Sequence, residues 1–531
     1  MPGNKLRVVS AVGIAALVLA GASGCTFADV SAEATPSPTA SVNPDPGADA
    51  LATVTRARVD AAIDDLATSV EAGMDASGTP GIAVGVVYEG EVLYAEGFGV
   101  RDLDSGDPVD ADTVFPLASV SKSIGASVVA RAIDEGYVSW DTPVAEHLDG
   151  FTLSDPYVGS HVTIADMYAH RSGLFKHAGD ELEEIGFDRA AILERLRLAP
   201  LAPWRSTYAY GNFDITAAGE AVARAAGEDW AALSERLLYE PLGMTSTSSR
   251  YADLESRENR ALGHMPLDGE WVVTPDQRQP DQQSPAGGVS SSIADLLPWL
   301  SMLLAGGEHD GEPFVDSTSL VPAMSPQIVG SPPTSFGSRA GYYGFGFNVG
   351  TTAGGLVDVN HSGAFLLGTG TVFKLLPGAG LGIVVLSNAS ANGVPEGIAA
   401  RFLDIAQYGA ERRDWLPLFM QVFEGESNPF GELVGETAPS APEPSQALET
   451  YAGEYANDYF GPATVALVGD ELELALGPTG RWTLEHWSGD EFVFRPFSEN
   501  APPGSVSKAT FDGGTLVLEY FDQHGLGTFT R

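Results

Sequence analysis

Ser119 and Lys122 stand three residues apart in the run Ser119-Val120-Ser121-Lys122. On a helix that spacing puts both side chains on one face. A serine hydroxyl beside an amine able to take its proton is the minimum equipment for nucleophilic acyl transfer. The segment 123–132 reads as a helix, and Phe115-Pro116-Leu117-Ala118 as the end of an apolar strand-like stretch. Ser119 therefore falls at a helix N-terminus, where its own N–H points outward and negative charge is favoured. Lys122 acts as a base only if burial or a second cation lowers its pKa. A capping serine and a solvated helix lysine would look the same in the tetrapeptide alone.

The chain supplies its own control. Ser505-Val506-Ser507-Lys508 repeats the tetrapeptide, although the whole chain has only five lysines. This copy follows Ala501-Pro502-Pro503-Gly504 and runs into Asp512-Gly513-Gly514. It reads as turn, short strand and turn, with no helix to bring the lysine back onto the serine. Context therefore decides.

Two further clusters supply that context. Tyr210-Gly211-Asn212 lies in a loop, where a phenol can relay protons and an amide can bind a substrate amide; Tyr208 competes for the tyrosine's role. His361-Ser362-Gly363-Ala364 precedes a strand at 369–376. Glycine at such an edge admits a close backbone approach. The Ala364 N–H is placed to serve with that of Ser119 as an oxyanion donor.

In the order Ser-x-x-Lys, Tyr-x-Asn, His-x-Gly, the chain resembles the serine β-lactamase / D,D-peptidase superfamily, on its class C side. Further stretches share that texture: Val162 to Met167 with His170-Arg171-Ser172-Gly173-Leu174, Tyr239 to Met244, Pro285 to Val289, and Leu386-Ser387-Asn388-Ala389. The resemblance spans roughly 55–410. It implies Ser119 as the acylated nucleophile, Lys122 and Tyr210 as the proton-transfer pair, and Asn212 as a substrate contact. His361, Ser362, Gly363 and Ala364 would line the opposite wall. No cofactor is implied, and the histidines show no metal-binding spacing. No Gly-x-Ser-x-Gly occurs, which argues against an α/β-hydrolase. The departure is His361, where β-lactamases carry a lysine that helps hold the substrate carboxylate. A largely neutral imidazole favours a peptidase or esterase acting on neutral or cationic small substrates. A β-lactamase proper and a non-catalytic wall-peptide receptor are the alternatives.

The elements that must position these residues come from both ends of the chain. Helical spacing covers 51–75, hairpins cover 82–98 and 369–386, and a helix follows at 395–408. They bracket a mostly helical middle. The expected fold is α+β, an antiparallel sheet flanked by helices with an α-rich insertion. Beyond a Pro-rich linker at 424–446, alternating segments from 447 to 531 suggest a small all-β barrel resembling a lipocalin-like domain.

The N-terminus reads as a signal peptide over 1–24, with Ala22-Ser23-Gly24-Cys25 resembling a bacterial lipoprotein cleavage box. Cys25, the sole cysteine, would carry the lipid, and 25–50 would be a tether to the extracytoplasmic face of the membrane, ahead of a hydrolase domain at 51–423; the alternative is an ordinary signal peptide and a secreted protein. With 71 acidic residues against 28 Lys+Arg, net charge -43, nucleic acid is excluded as a partner.

Overall fold

A computed structural model of the chain describes residues 54–531, so the signal segment, Cys25 and the tether lie outside the described residues. The main sheet has eight antiparallel strands. From one edge they run Glu91–Gly99, Gly81–Tyr88, Leu381–Ser387, Thr369–Leu376, Val357–Phe365, Asn348–Thr351, Gly341–Tyr343 and Ile328–Ser331. The two ends of the domain meet in its second and third strands, where Ile82 pairs with Ser387 and Tyr88 with Leu381. Both of these strands are buried along their whole length. That is why each reads as a continuous apolar run rather than an alternating one.

Alternation still sorts their side chains. Ile82, Val84 and Val86 pack with Val59, Leu66, Ile398 and Phe402, on helices Arg56–Ser77 and Val394–Tyr408. Ala83 and Val87 face the other core, with Ile293, Leu296 and Leu300 of helix Ile293–Leu304. The first helix stops at Gly78, whose φ of 73° carries the left-handed turn that returns its N–H to Met74 O at 2.7 Å. Its start is later than the spacing suggested, at Arg56.

The middle of the chain is helical, as expected. The helix Val120–Asp134 runs through its core with twelve buried residues, Lys122 among them. Helix Phe213–Ala226 follows the Tyr208–Asn212 loop directly. A helix at Trp415–Glu424 was not foreseen. It is held to the preceding helix by Asp404, which accepts from Trp415 Nε1 (2.6 Å) and Arg412 N (2.9 Å).

The C-terminal strands, Gly453–Tyr455 to Thr528–Thr530, form an eight-stranded sheet in which each pairs with the next in sequence. Ala456 and Thr530 exchange two backbone hydrogen bonds (2.6 and 3.0 Å), so the sheet nearly closes into a barrel. The second Ser-Val-Ser-Lys copy lies at its strand Ser507–Asp512, with Lys508 paired to Glu432. The Pro-rich stretch has little regular structure but does not hang free. Phe430 O accepts from Val506 N (2.8 Å), and Glu432 N donates to Glu519 (2.9 Å).

The barrel docks on the segment around Asp180–Glu184. Tyr459 OH accepts from Gly179 N (3.0 Å), and Thr479 N donates to Ile185 O (3.0 Å). Gly186 has φ 91°, and a Cβ there would meet Thr479 Oγ1 at 2.5 Å. Gly186→Ala is therefore expected to cost about 1–3 kcal/mol by crowding and backbone strain. Calorimetry would register this as a lower unfolding temperature, and an unchanged melting curve would refute it.

Candidate active site

Ser119 sits where strand gives way to helix, immediately before Val120–Asp134. The preceding residue, Ala118, holds a left-handed φ of 46°, unusual for a residue with a Cβ. This sharp corner presents the hydroxyl to a cavity of about 500 Å³, whose lining includes Tyr208, Tyr210, Asn212, Ser362 and Ala364. Among the described residues no acceptor faces the Ser119 N–H.

Lys122 is fully buried, and its Nζ has three neighbours. Ser119 Oγ lies at 2.9 Å, Asn212 Oδ1 at 2.7 Å and Ala286 O at 3.0 Å. A neutral amine has two N–H donors and one lone pair. Asn212 Oδ1 and Ala286 O can take the donors, which leaves the lone pair for the serine proton. Burial lowers the Lys122 pKa to about 7, against the opposing pull of Asp180 and Asp214. The neutral amine is therefore well populated near neutral pH.

Tyr210 lines the cavity beside Ser119, and its ring lies 4.7 Å from Lys122 Nζ. Burial pushes its phenol far up, so at neutral pH it holds its proton. The two environments separate the roles, with the amine able to accept and the phenol able to donate. Behind Tyr210 stands a pair the sequence did not reveal. His170 Nδ1 lies 2.9 Å from Asp214 Oδ2, and the His170 ring packs 4.6 Å from that of Tyr210. His170 belongs to a stretch recognised only for its family texture, and nothing local distinguishes its ring from an ordinary core histidine.

The strand Val357–Phe365 forms the opposite wall, and its two-residue alternation splits the expected set. Ser362 and Ala364 line the cavity. His361 does not: it is buried, with Nε2 2.9 Å from Tyr343 OH and Nδ1 2.6 Å from Ser362 O. Burial, with Lys122 adding to it, lowers its pKa to about 3, so the ring is neutral. Gly363 also turns inward. A Cβ there would meet Leu117 O at 2.2 Å and Thr371 Oγ1 at 2.4 Å, so only glycine lets this strand reach the Ser119 corner.

Asn212 is bound on both sides. Besides accepting from Lys122, its Nδ2 donates to Asp180 Oδ2 at 2.9 Å. Asp180, Glu183 and Glu184 line the same cavity, as do Arg278 and, from the barrel, Glu499 and Asn500. None of these was singled out from the sequence. The spacing Asp180-x-x-Glu183-Glu184 was the available signal, since it places three acids on one face of a turn.

No cluster of metal-ligating side chains occurs among the described residues. A serine at a helix mouth, hydrogen-bonded to a buried amine and sharing its cavity with a protonated phenol beside an antiparallel sheet, defines a serine hydrolase. Residues 66–408 match the Beta-lactamase family, and 437–514 match a Domain of unknown function (DUF3471). The chain belongs to the Beta-lactamase family.

Relatives differ in what they are named for. The Unguisins hydrolase ungD of Aspergillus violaceofuscus is 26% identical over 454 residues, covering 78% of this chain and 79% of that protein. The Esterase EstB of Burkholderia gladioli is 35% identical over 176 residues, 30% of this chain and 44% of the esterase. Among solved structures, the octameric penicillin-binding protein homologue from Pyrococcus abyssi superposes with a TM-score of 0.58 at 21% identity, covering 88% of this chain and 100% of that one. That likeness concerns the fold.

Proposed function

We propose that the chain is an exported serine hydrolase that works through a Ser119 acyl-enzyme on a D-amino-acid peptide or a small ester or amide. Lipidated Cys25 would hold it at the extracytoplasmic face of the membrane. The observation that carries the catalytic reading is the Lys122 amine, buried and 2.9 Å from Ser119 Oγ. As Oγ attacks the substrate carbonyl carbon, its proton passes to Nζ. The new oxyanion is met by the N–H groups of Ser119 and Ala364. Collapse expels the leaving group, protonated by the Tyr210 phenol or the Lys122 ammonium, and water then releases the acyl group.

The neutral, inward-facing His361 offers no cation to a substrate carboxylate. This favours esters and peptides without a carboxylate at that position over β-lactams. A panel of p-nitrophenyl esters, D-Ala-D-Ala peptides and nitrocefin tests the reading. Turnover of an ester or peptide above the Ser119→Ala background supports it. Nitrocefin as the sole substrate would replace it with a β-lactamase.

The base also sets a pH dependence. Below about 7 Lys122 is an ammonium without a lone pair; above it the amine is free. The kcat/KM for p-nitrophenyl acetate is therefore expected to rise with pH through an inflection near 7. A rise centred at the ordinary lysine value would contradict the assignment.

A further inference from the structure

The lining of the Ser119 cavity divides by chemistry. Its carboxylates are taken up by the protein's own groups. Asp180 accepts from Asn212 Nδ2 (2.9 Å), Glu183 pairs with Arg278 (2.6 Å), and Glu184 accepts from Ser498 Oγ (2.8 Å). The apolar part of the lining is less covered. Ala364 is exposed, and Leu366, Ala391 and Phe423 are half-buried. Apolar surface left open in a cleft is stabilised by an apolar group that covers it.

Phe423 comes from the helix Trp415–Glu424, outside both the 66–408 and the 437–514 family matches. Leu416, Met420 and Phe423 stand at i, i+4 and i+7, so they share its inner face. Leu416 and Met420 pack on the core beneath helices Arg56–Ser77 and Val394–Tyr408. Phe423 belongs to neither hydrophobic cluster of the described residues, and lines the cavity instead. An inward aromatic ring that the fold does not spend on its own core is a surface for a ligand.

The ring is positioned from both sides. Gly393 and Gly397 let the neighbouring helix come close: a Cβ on Gly393 would meet Phe419 O at 2.4 Å, and one on Gly397 would meet Leu416 Cα at 3.0 Å. Beyond Phe423 the chain is tied to the barrel, where Phe430 N donates to Ser505 Oγ (3.0 Å). A surface fixed in advance binds without the entropy cost of ordering itself. Leu366 lies two residues past Ala364, whose N–H meets the oxyanion in the proposed reaction. Two residues span at most about 7 Å, so a chain of about six carbons on the reacting group reaches it.

We propose that Phe423, with Leu366 and Ala391, forms a subsite for an apolar substituent of the substrate, an aliphatic chain or aromatic ring carried beside the scissile carbonyl. Phe423 is then a specificity-determining residue supplied by the segment between the two family matches.

The inference rests on Ser119 being the acylated nucleophile, and one experiment separates the two claims. Two fluorophosphonates that differ only in the alkyl group on phosphorus, hexyl or methyl, are reacted with the full chain and with its Phe423→Ala and Leu418→Ala variants. Second-order labelling rates at Ser119 are compared as the hexyl-to-methyl ratio within each protein, so a change in overall reactivity does not disturb it. The tetrahedral phosphonyl adduct can turn its alkyl group to either side of the serine, so acyl-side and leaving-group pockets both register. In the wild type the ratio should be about tenfold or more, a comparison that needs no variant to fold. Phe423→Ala should lower it by about fivefold or more. Leu418 is on the same helix but 38% exposed, and its replacement should leave the ratio unchanged. A wild-type ratio near one overturns the subsite and leaves the hydrolase standing. So does a ratio that Phe423→Ala leaves alone or raises, or that Leu418→Ala lowers equally. No labelling of Ser119 by either probe overturns both.

Discussion

Lys122→Met will lower kcat/KM for any ester the protein hydrolyses by about 10²–10⁴-fold, the range associated with a lost general base. Methionine fills nearly the same buried volume and has no lone pair basic enough to take the Ser119 proton. The substitution strands Asn212 Oδ1 and Ala286 O, both of which now accept from Nζ. Unpaired buried acceptors cost about 1–3 kcal/mol. Relief from burying an amine offsets part of that, since replacing a buried polar group by an apolar one is often close to neutral. The fold should survive with a small change in melting temperature. The decisive readout is the pH profile, in which the inflection near 7 should vanish along with the rate. A variant retaining that inflection would show that another group is the base.

Gly363→Ala should be nearly as damaging, for a different reason. The added Cβ would lie 2.2 Å from Leu117 O and 3.0 Å from Ser119 N. Neither is the end of a flexible side chain, so one backbone must move. Movement shifts the Ser362–Ala364 wall away from the nucleophile, and misplacement by about 1 Å can cost about 10²-fold. Overpacking adds about 1–3 kcal/mol of instability. Steady-state kinetics and thermal unfolding on the same preparation check both parts. A variant with wild-type kcat/KM would refute the claim that this contact sets the site.

Much of this arrangement is legible in the sequence. The strands Gly81–Tyr88 and Leu381–Ser387 announce themselves as apolar runs, because both of their faces are covered. The helix behind Ser119 distinguishes it from Ser505, whose lysine instead leaves a strand to meet Glu432. What the sequence hides is orientation and long-range company. At 361–364 apolar and polar residues do not alternate clearly enough to say which pair faces the cleft. The structure puts Ser362 and Ala364 there and turns His361 toward Tyr343. His170 and Asp214 each look like an ordinary core residue until the fold pairs them. Glu184 meets Asn500 across 316 residues, a juxtaposition no local pattern encodes. The Pro-rich stretch after Glu424 shows the same limit: composition denies it regular structure but says nothing of its hydrogen bonds to the barrel.

The central claim is that Ser119 carries the acyl group. Treatment with a fluorophosphonate followed by intact-mass and peptide mass spectrometry tests it directly. The account predicts one adduct, on the peptide containing Ser119, absent from folded Ser119→Ala. Full labelling of the alanine variant, or an adduct on Ser505 in place of Ser119, would contradict it.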